Sequence, residues 1–143
     1  MTHDSSESQG RSAQQLLEAM PFAALLGVQV SSASPEEVRG RLEWRPERCT
    51  TGGVLHGGAL MAFADSLGAL CAFLHLPEGA GTGTIESKTN FFRAVRSGSV
   101  EAVSRPLHVG RTTIVVQTDL LDGEGRRVAQ VTQTQAILSP GRG

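Results

Sequence analysis

The chain has 143 residues, the length of one ordinary domain and too short for two. Apolar residues make up 39% and charged residues 19%, a usage that excludes the disordered, collagen-like and coiled-coil classes. With 13 Lys plus Arg against 14 Asp plus Glu the formal charge is −1, so no overall field would attract nucleic acid or an anionic membrane. Aromatic residues reach only 4%, too few for base stacking, and neither nucleic acid nor a membrane is an expected partner.

Cysteine usage and the chain ends limit the class of protein further. Cys49 and Cys71 lie far apart with no CxxC spacing, so neither a disulfide framework nor a metal site is expected. Residues 1–11 and 140–143 are small and polar, and we expect a disordered N-terminal tail and a loose C-terminal tail around one domain at 12–139. No apolar core of signal-peptide length lies in the N-terminal segment, so the expected location is the cytoplasm.

The first predicted elements are a short helix and a β-hairpin. Leu16, Leu17 and Met20 recur at helical spacing and Pro21 follows them, which predicts a helix over 12–20 that ends there. The segment LGVQV then leads to the turn SSASPEE, and VRGRLEW alternates apolar with polar residues. These patterns predict two paired strands.

The segment from Val54 to Leu76 is apolar around the whole helical wheel, which predicts one long, buried helix. A membrane span is disfavoured because Asp65 lies near its middle and no Lys or Arg flanks it closely. Four strand patterns follow with hairpin-length gaps: TIESKTNFFRAV, SVEAVSRPLHV, TTIVVQTDLLD and VAQVTQTQAIL. Strands on both sides of one helix predict an α+β domain with an antiparallel sheet packed on that helix.

Two features of the central helix point to chemistry. A carboxylate at Asp65, within an apolar helix, costs several kcal/mol unless a partner or a function compensates. A structural Asp, paired to a distant Arg or hydrogen-bonded to the backbone, is the alternative. At the helix start, the glycines of His56-Gly57-Gly58 leave the first N–H groups unobstructed, so the positive end of the helix dipole can bind an oxygen that gains negative charge. An ordinary glycine-rich helix entry is the alternative there.

The spacing of these features predicts a shared site. His56 and Asp65 are nine positions apart, which on a helix means about 13 Å of rise and opposite faces. One helix cannot direct both side chains at one atom. If both serve one reaction, a symmetric dimer must bring the helix start of one subunit near the helix middle of the other.

Three motifs occur in a fixed order: HGGALMAFAD from His56 to Asp65, NFFR from Asn90 to Arg93, and PLHVGRT from Pro106 to Thr112. Together they resemble the hotdog-fold acyl-CoA thioesterases of the PaaI-like (phenylacetate-degradation, hydroxybenzoyl-CoA thioesterase) family, whose relatives act on hydroxybenzoyl-CoA and dihydroxynaphthoyl-CoA. The resemblance covers roughly residues 26–138. It implies a hotdog fold, a homodimer at least and usually a homotetramer, and no cofactor beyond the coenzyme A of the substrate.

The resemblance also implies roles for the residues of the first motif. Asp65 matches the carboxylate that attacks the thioester carbonyl or activates water, and the choice between nucleophile and general base stays open. Gly57 matches the glycine whose backbone N–H polarises that carbonyl, His56 matches the histidine that orients the site, and Gly58 shapes the turn. In such enzymes the acid and the glycine come from different subunits, in agreement with the spacing.

The other two motifs match residues that hold coenzyme A. Phe91, Phe92 and Arg93, with Arg111 and Thr112, resemble the residues at the pantetheine entry and the CoA phosphates. Solvated strand-end charges are the alternative for the arginines.

Two positions depart from the family pattern. Thr50 stands where the family commonly carries Asn or Gln to place the carbonyl or the water, and a hydroxyl reaches less far than an amide. Ala69 stands where some relatives present Ser or Thr, so Ser66 is the nearest hydroxyl expected at the site.

The predicted function is therefore hydrolysis of an acyl-CoA to a free acid and CoA. Either an aryl or a medium-chain acyl group would suit the apolar residues expected to line the pocket, which are Phe63, Leu67, Leu70, Phe91 and Phe92. A hotdog domain that binds acyl-CoA without hydrolysing it is the second reading, favoured by Thr50. A hotdog hydratase or dehydratase is the third, disfavoured because an HFPG-type loop is absent from the sequence.

Overall fold

The computed structural model describes residues 13–140, so the predicted tails, apart from Pro140, lie outside the described residues. Residues 13–18 form the first helix, α1, which ends before Pro21 as predicted. A second helix, α2, spans Pro21–Leu26 and was not predicted; only Leu26 overlaps the predicted strand segment LGVQV. Proline starts this helix readily, because at the first helical position it loses only an N–H that has no partner there.

Six strands form one antiparallel sheet. They are β1 Gln29–Ala33, β2 Val38–Glu43, β3 Gly81–Phe91, β4 Ser99–Val109, β5 Thr113–Leu121 and β6 Arg127–Leu138. The order across the sheet is β1-β2-β4-β5-β6-β3, so β1 and β3 are its edges. The predicted hairpin is β1–β2, and β4, β5 and β6 also pair consecutively. The short gap after β3 does not form a hairpin, because β3 crosses over and pairs with β6.

The central helix, α3, spans Gly57–Phe73 and packs on strands β2 to β6. It is shorter at both ends than the predicted segment 54–76, because His56 caps its start and Leu74 closes its end. Phe63 and Leu67 are fully buried between the helix and the sheet, where they form the centre of the core. The predicted α+β hotdog arrangement, one long helix held by an antiparallel sheet, is confirmed.

One face of α3 is not covered by its own subunit. Met61 is 40% exposed and Phe73 is 46% exposed, and Asp65 between them is also exposed. Within one subunit the sheet therefore leaves uncovered the stripe formed by Met61, Asp65 and Phe73. No helix among residues 13–140 is long and apolar enough to cross a membrane.

Candidate active site

The start of α3 is built by the His-Gly-Gly sequence. His56 is the N-cap, and its Nδ1 accepts a hydrogen bond of 2.7 Å from the backbone N–H of Gly58. A Cβ at position 58 would lie only 2.8 Å from that nitrogen, so the imidazole can fold over the helix start only because residue 58 is a glycine. Since Nδ1 accepts, the neutral ring carries its proton on Nε2, which can donate to a ligand.

Gly57 supplies the one amide of this turn suited to an incoming oxygen. The N–H of Gly58 is used by His56, and no acceptor among residues 13–140 pairs with the N–H of Gly57. The ring of Phe91 lies beside it, because a Cβ at position 57 would be 3.2 Å from the ring's Cζ. The N–H of Gly57 is therefore free at the positive end of the helix dipole, beside the ring of Phe91.

A loop fixed by backbone hydrogen bonds holds the helix start in place. The backbone N–H of His56 donates to the carbonyl of Arg48 at 2.9 Å, and Cys49 forms a β-bridge with Leu55. The Arg48 guanidinium in turn donates to the carbonyl of Leu26 at 2.7 Å and so attaches α2 to the loop. Thr50 lies in this loop with its side chain exposed and its N–H bonded to Val54. Between the loop, α2 and the helix start lies a groove of about 760 Å³.

Asp65 lies on the exposed stripe of α3, facing the β3 edge of the sheet. Its Oδ1 is 3.5 Å from Thr84 Oγ1 and 3.5 Å from Gln133 Nε2, the outer limit of a hydrogen bond. The side chain is exposed in a single subunit, yet enough protein surrounds the carboxyl that burial raises its pKa, while the bond from Thr84 lowers it. No charged group among the described residues is a cause of the shift. The sequence predicted a carboxylate enclosed in the core, and this is wrong: in one subunit the carboxyl of Asp65 is only partly surrounded by protein.

An apolar cavity of about 330 Å³ has Thr84, the contact of Asp65, in its lining, although Asp65 itself does not line it. It lies between α1, the second half of α3 and the start of β3, and its lining residues are Leu16, Ala19, Met20, Ala69, Leu70, Phe73, Thr82, Gly83, Thr84 and Gln135. Of the five predicted pocket residues only Leu70 is among them. Phe63 and Leu67 are fully buried in the core and cannot contact a ligand, and Phe91 and Phe92 lie at the other end of β3.

The structure divides the predicted site residues between two places in one subunit. His56, Gly57 and Phe91 lie at the end of β3, whereas Asp65 lies near its start beside Thr84. Arg93 follows the end of β3 and donates its N–H to Val128, whereas Thr112 beside Arg111 accepts from Ile137. Because these contacts are nine residues apart along β6, the two arginines are about 30 Å apart in one subunit.

Comparison with known proteins places this chain in a family. The model of the thioesterase superfamily matches residues 52–129, from the loop before α3 to the third residue of β6. The chain belongs to the thioesterase superfamily. The proofreading thioesterase EntH of Cronobacter sakazakii is 36% identical over 86 residues, which cover 60% of this chain and 63% of that protein.

A second relative and a solved structure are also similar to this chain. The 1,4-dihydroxy-2-naphthoyl-CoA hydrolase of Escherichia coli is 35% identical over 86 residues, covering 60% of this chain and 63% of that protein. The crystal structure of thioesterase HI1161 from Haemophilus influenzae superposes with a TM-score of 0.85 at 27% identity and covers 91% of this chain and 90% of that chain. This chain is accordingly a thioester hydrolase with the hotdog fold.

One predicted site residue of this thioesterase is not available to a substrate. Ser66 is 6% exposed, and its hydroxyl donates to the carbonyl of Ala62 at 2.7 Å within α3. A helix serine that bonds to the preceding turn in this way satisfies its own polar group. The expectation that Ser66 offers the nearest free hydroxyl is therefore wrong.

Three polar residues close to the Asp65 carboxyl were not predicted from the sequence. Thr84 on β3 and Gln133 on β6 contact Asp65, and Gln135 contacts Thr84. The available signal was the alternation TQTQ from Thr132 to Gln135, because alternate residues of a strand face the same side of a sheet. In β6 the side facing the helix carries these two glutamines.

Within residues 13–140, no group of three or more His, Cys, Asp or Glu side chains could hold a metal ion. A reaction that needs no metal and no cofactor stays a prediction.

Proposed function

We propose that this thioesterase hydrolyses an acyl-CoA to a free acid and CoA at a site shared by two subunits. The observation that carries the proposal is the position of Asp65, whose carboxyl contacts Thr84 in the lining of an apolar cavity and has its pKa raised by burial. The cavity volume suits an aryl or medium-chain acyl group, and the naphthoyl-CoA hydrolase of E. coli supports an aromatic one.

The chemistry needs a charged carboxylate and a donor for the carbonyl oxygen. As general base, Asp65 takes a proton from water while the water oxygen attacks the carbonyl carbon. As nucleophile, it attacks that carbon itself and forms an acyl anhydride, which water then hydrolyses to the free acid and the regenerated carboxylate. In both routes the C–S bond breaks, CoA leaves as the thiolate and is then protonated. The carbonyl oxygen gains negative charge, and the free N–H of Gly57 with the Nε2–H of His56 can stabilise it.

A dimer through β3 would unite these groups. Strand β3 is an edge strand of 11 residues, and Ile85 on it is 64% exposed. Such an edge presents unpaired N–H and C=O groups that a second copy can satisfy. In antiparallel pairing about a two-fold axis, the end of one β3 lies beside the start of the other. The helix start, which contacts Phe91, would then approach the partner's Asp65, which contacts Thr84.

Mixed subunits test the shared site. Gly57→Pro removes the amide donor and Asp65→Asn removes the carboxylate, so each homodimer should be inactive. Co-expressed in equal amounts, the two variants should regain roughly a quarter of wild-type activity, since half of the dimers are mixed and each mixed dimer holds one intact site of two. Thiol release measured on the purified mixture checks this. A mixture no more active than its two components would contradict a shared site. A fully active protein that light scattering shows to be a monomer would contradict it as well.

The coenzyme is expected to lie across the same interface. Antiparallel pairing through β3 would bring Arg93 of one subunit to the end of the sheet where the partner carries Arg111 and Asp65. Both guanidinium groups are exposed, and the planar guanidinium offers two parallel donors to a phosphate. These two arginines, with Thr112, are our candidates for binding the nucleotide end.

Removal of either arginine should weaken binding and spare the chemistry. Arg93→Ala or Arg111→Ala should raise KM about tenfold, the loss of one charge-assisted contact, with kcat nearly unchanged. High salt should have the same effect on the wild-type protein, because exposed ion pairs are screened. Arg41→Ala is the control, since Arg41 lies on β2 next to the opposite edge. The assay compares a CoA ester with the same acyl group on pantetheine, and equal impairment on both esters would exclude contact with the nucleotide.

Thiol release from a panel of acyl-CoAs tests the proposed function as a whole. We expect turnover that depends on Asp65, highest for aryl or medium-chain esters. Tight binding without thiol release would favour a non-catalytic acyl-CoA-binding protein, and addition or loss of water with the thioester intact would favour a hydratase or dehydratase. The tetramer and the cytoplasmic location stay predictions.

A further inference from the structure

We infer that Thr84 and Gln133 are positioning residues that hold Oδ1 of Asp65 and leave Oδ2 as the oxygen that reacts. The inference rests on the proposed function, because it assigns the two oxygens of the carboxylate proposed to act there. It concerns two sheet residues outside the motifs of the helix and its flanking loop.

Both contacts to Asp65 are made to the same oxygen. Thr84 Oγ1 and Gln133 Nε2 each lie 3.5 Å from Oδ1, and no donor among residues 13–140 bonds to Oδ2. Hydrogen bonds at catalytic groups are often long before substrate binds and shorten in the complex. Two donors on one oxygen favour the charged carboxylate, fix its plane and keep the second oxygen accessible.

A second glutamine sets the direction of the Thr84 hydroxyl. Gln135 is 1% exposed, and its Nε2 donates to Thr84 Oγ1 at 2.7 Å. Its Oε1 lies 3.0 Å from Thr82 Oγ1, whose one hydrogen also faces the carbonyl of Ala136 at 2.8 Å. Because the Thr84 oxygen already accepts a hydrogen bond from Gln135, its own hydrogen is directed to Asp65.

Gln133 lowers the stability of the fold, so a purely structural role does not explain this residue. Its side chain is 1% exposed, and its Oε1 is buried without a hydrogen-bond partner. That oxygen fits against α3 only because residue 68 is a glycine, since a Cβ there would collide with it. A buried acceptor left unpaired lowers stability, and an apolar side chain of similar size would avoid the cost. The single polar contact that the amide makes is the one to Asp65.

The helix itself offers Asp65 no such donor. One turn further along the same face, Ala69 presents only a methyl group to the cavity, and the hydroxyl of Ser66 is bonded within the helix. The hydroxyl and the amide beside the carboxyl therefore both come from the sheet.

Substitutions that remove only these donors test the inference. Thr84→Val and Gln133→Leu should each lower kcat roughly threefold to tenfold with KM changed less than about twofold, the loss of one long hydrogen bond to a charged group. Removing a donor to the carboxylate raises the pKa of Asp65, so the acid limb of the kcat/KM profile should move to higher pH. Thr84→Ser keeps the hydroxyl and should restore both values.

Two controls separate positioning from structure. Thr134→Val lies on the same strand between the two glutamines but faces the other side of the sheet, and it should change neither kcat nor the acid limb. Gln133→Leu should leave the melting temperature unchanged or higher, because it removes an unpaired buried acceptor. A structural role predicts the opposite result, a loss of stability with the acid limb in place.

Carbon-13 NMR titration of the Asp65 carboxyl without substrate makes the test independent of turnover. The pKa of Asp65 should be higher in Thr84→Val and Gln133→Leu than in the wild type and in Thr134→Val. An unchanged pKa in both donor variants would overturn the inference even if Asp65→Asn is inactive. If Asp65→Asn keeps full activity instead, the proposed function of the carboxylate fails, whatever the titration shows.

Discussion

Asp65→Asn should lower kcat by a factor of at least about one hundred while the protein stays folded. Asparagine keeps the shape of the side chain and can still accept from Thr84 and Gln133, but it can neither remove a proton from water nor attack a carbonyl. In the wild type, the acid limb of kcat/KM should have its midpoint above the ordinary Asp value of about 3.9, because burial raises the pKa of this carboxyl. Retention of most thiol release by the variant would exclude Asp65 as the reacting group.

Stability should change in the opposite direction to activity. A carboxyl whose pKa is raised by folding stabilises the native state when protonated, and that contribution is lost as the pH rises through the native pKa. At neutral pH the charged Asp65 therefore lowers the free energy of unfolding, and Asn removes this cost. The melting temperature of Asp65→Asn should exceed that of the wild type at pH 7, and the difference should shrink on acidification, as calorimetry at several pH values can measure.

Gly57→Pro should lower kcat about a hundredfold, because it deletes the N–H proposed to bind the carbonyl oxygen. Proline is well suited to the first position of a helix, where the N–H has no helical partner. His56 before it has φ −61° and ψ 132°, an extended conformation that a following proline permits. The substitution thus removes a donor at little cost to the helix.

Gly57→Ala is the matched control for the proline variant. Alanine brings the same Cβ, 3.2 Å from the half-exposed ring of Phe91, but keeps the N–H. It should retain most of the activity, and circular dichroism should show equal helix content in the two variants. If the alanine and proline variants lose activity equally, crowding of Phe91 is the cause and the amide has no role in the reaction.

The elements of this fold follow from local patterns that can be recognised in the sequence. Period-two alternation and turn residues predicted six strands, the first two as the β1–β2 hairpin, and the long apolar run predicted α3. The His-Gly-Gly motif marked the helix start, because N-capping depends only on residues in contact along the chain. The second helix was missed because a single proline is compatible both with the end of a helix and with the start of the next.

What surrounds each side chain was decided by tertiary structure. Strand β3 pairs with β6 instead of its neighbour in sequence, and this crossover makes β3 an open edge and places Thr84 beside Asp65. An apolar run does not show which face of its helix the sheet will cover, so Phe63 became core and Asp65 remained at the surface. The sequence by itself determined the elements and the helix start, because these depend on near neighbours. Only packing between distant segments decided which polar groups meet the carboxylate, because those contacts join β3, β6 and α3.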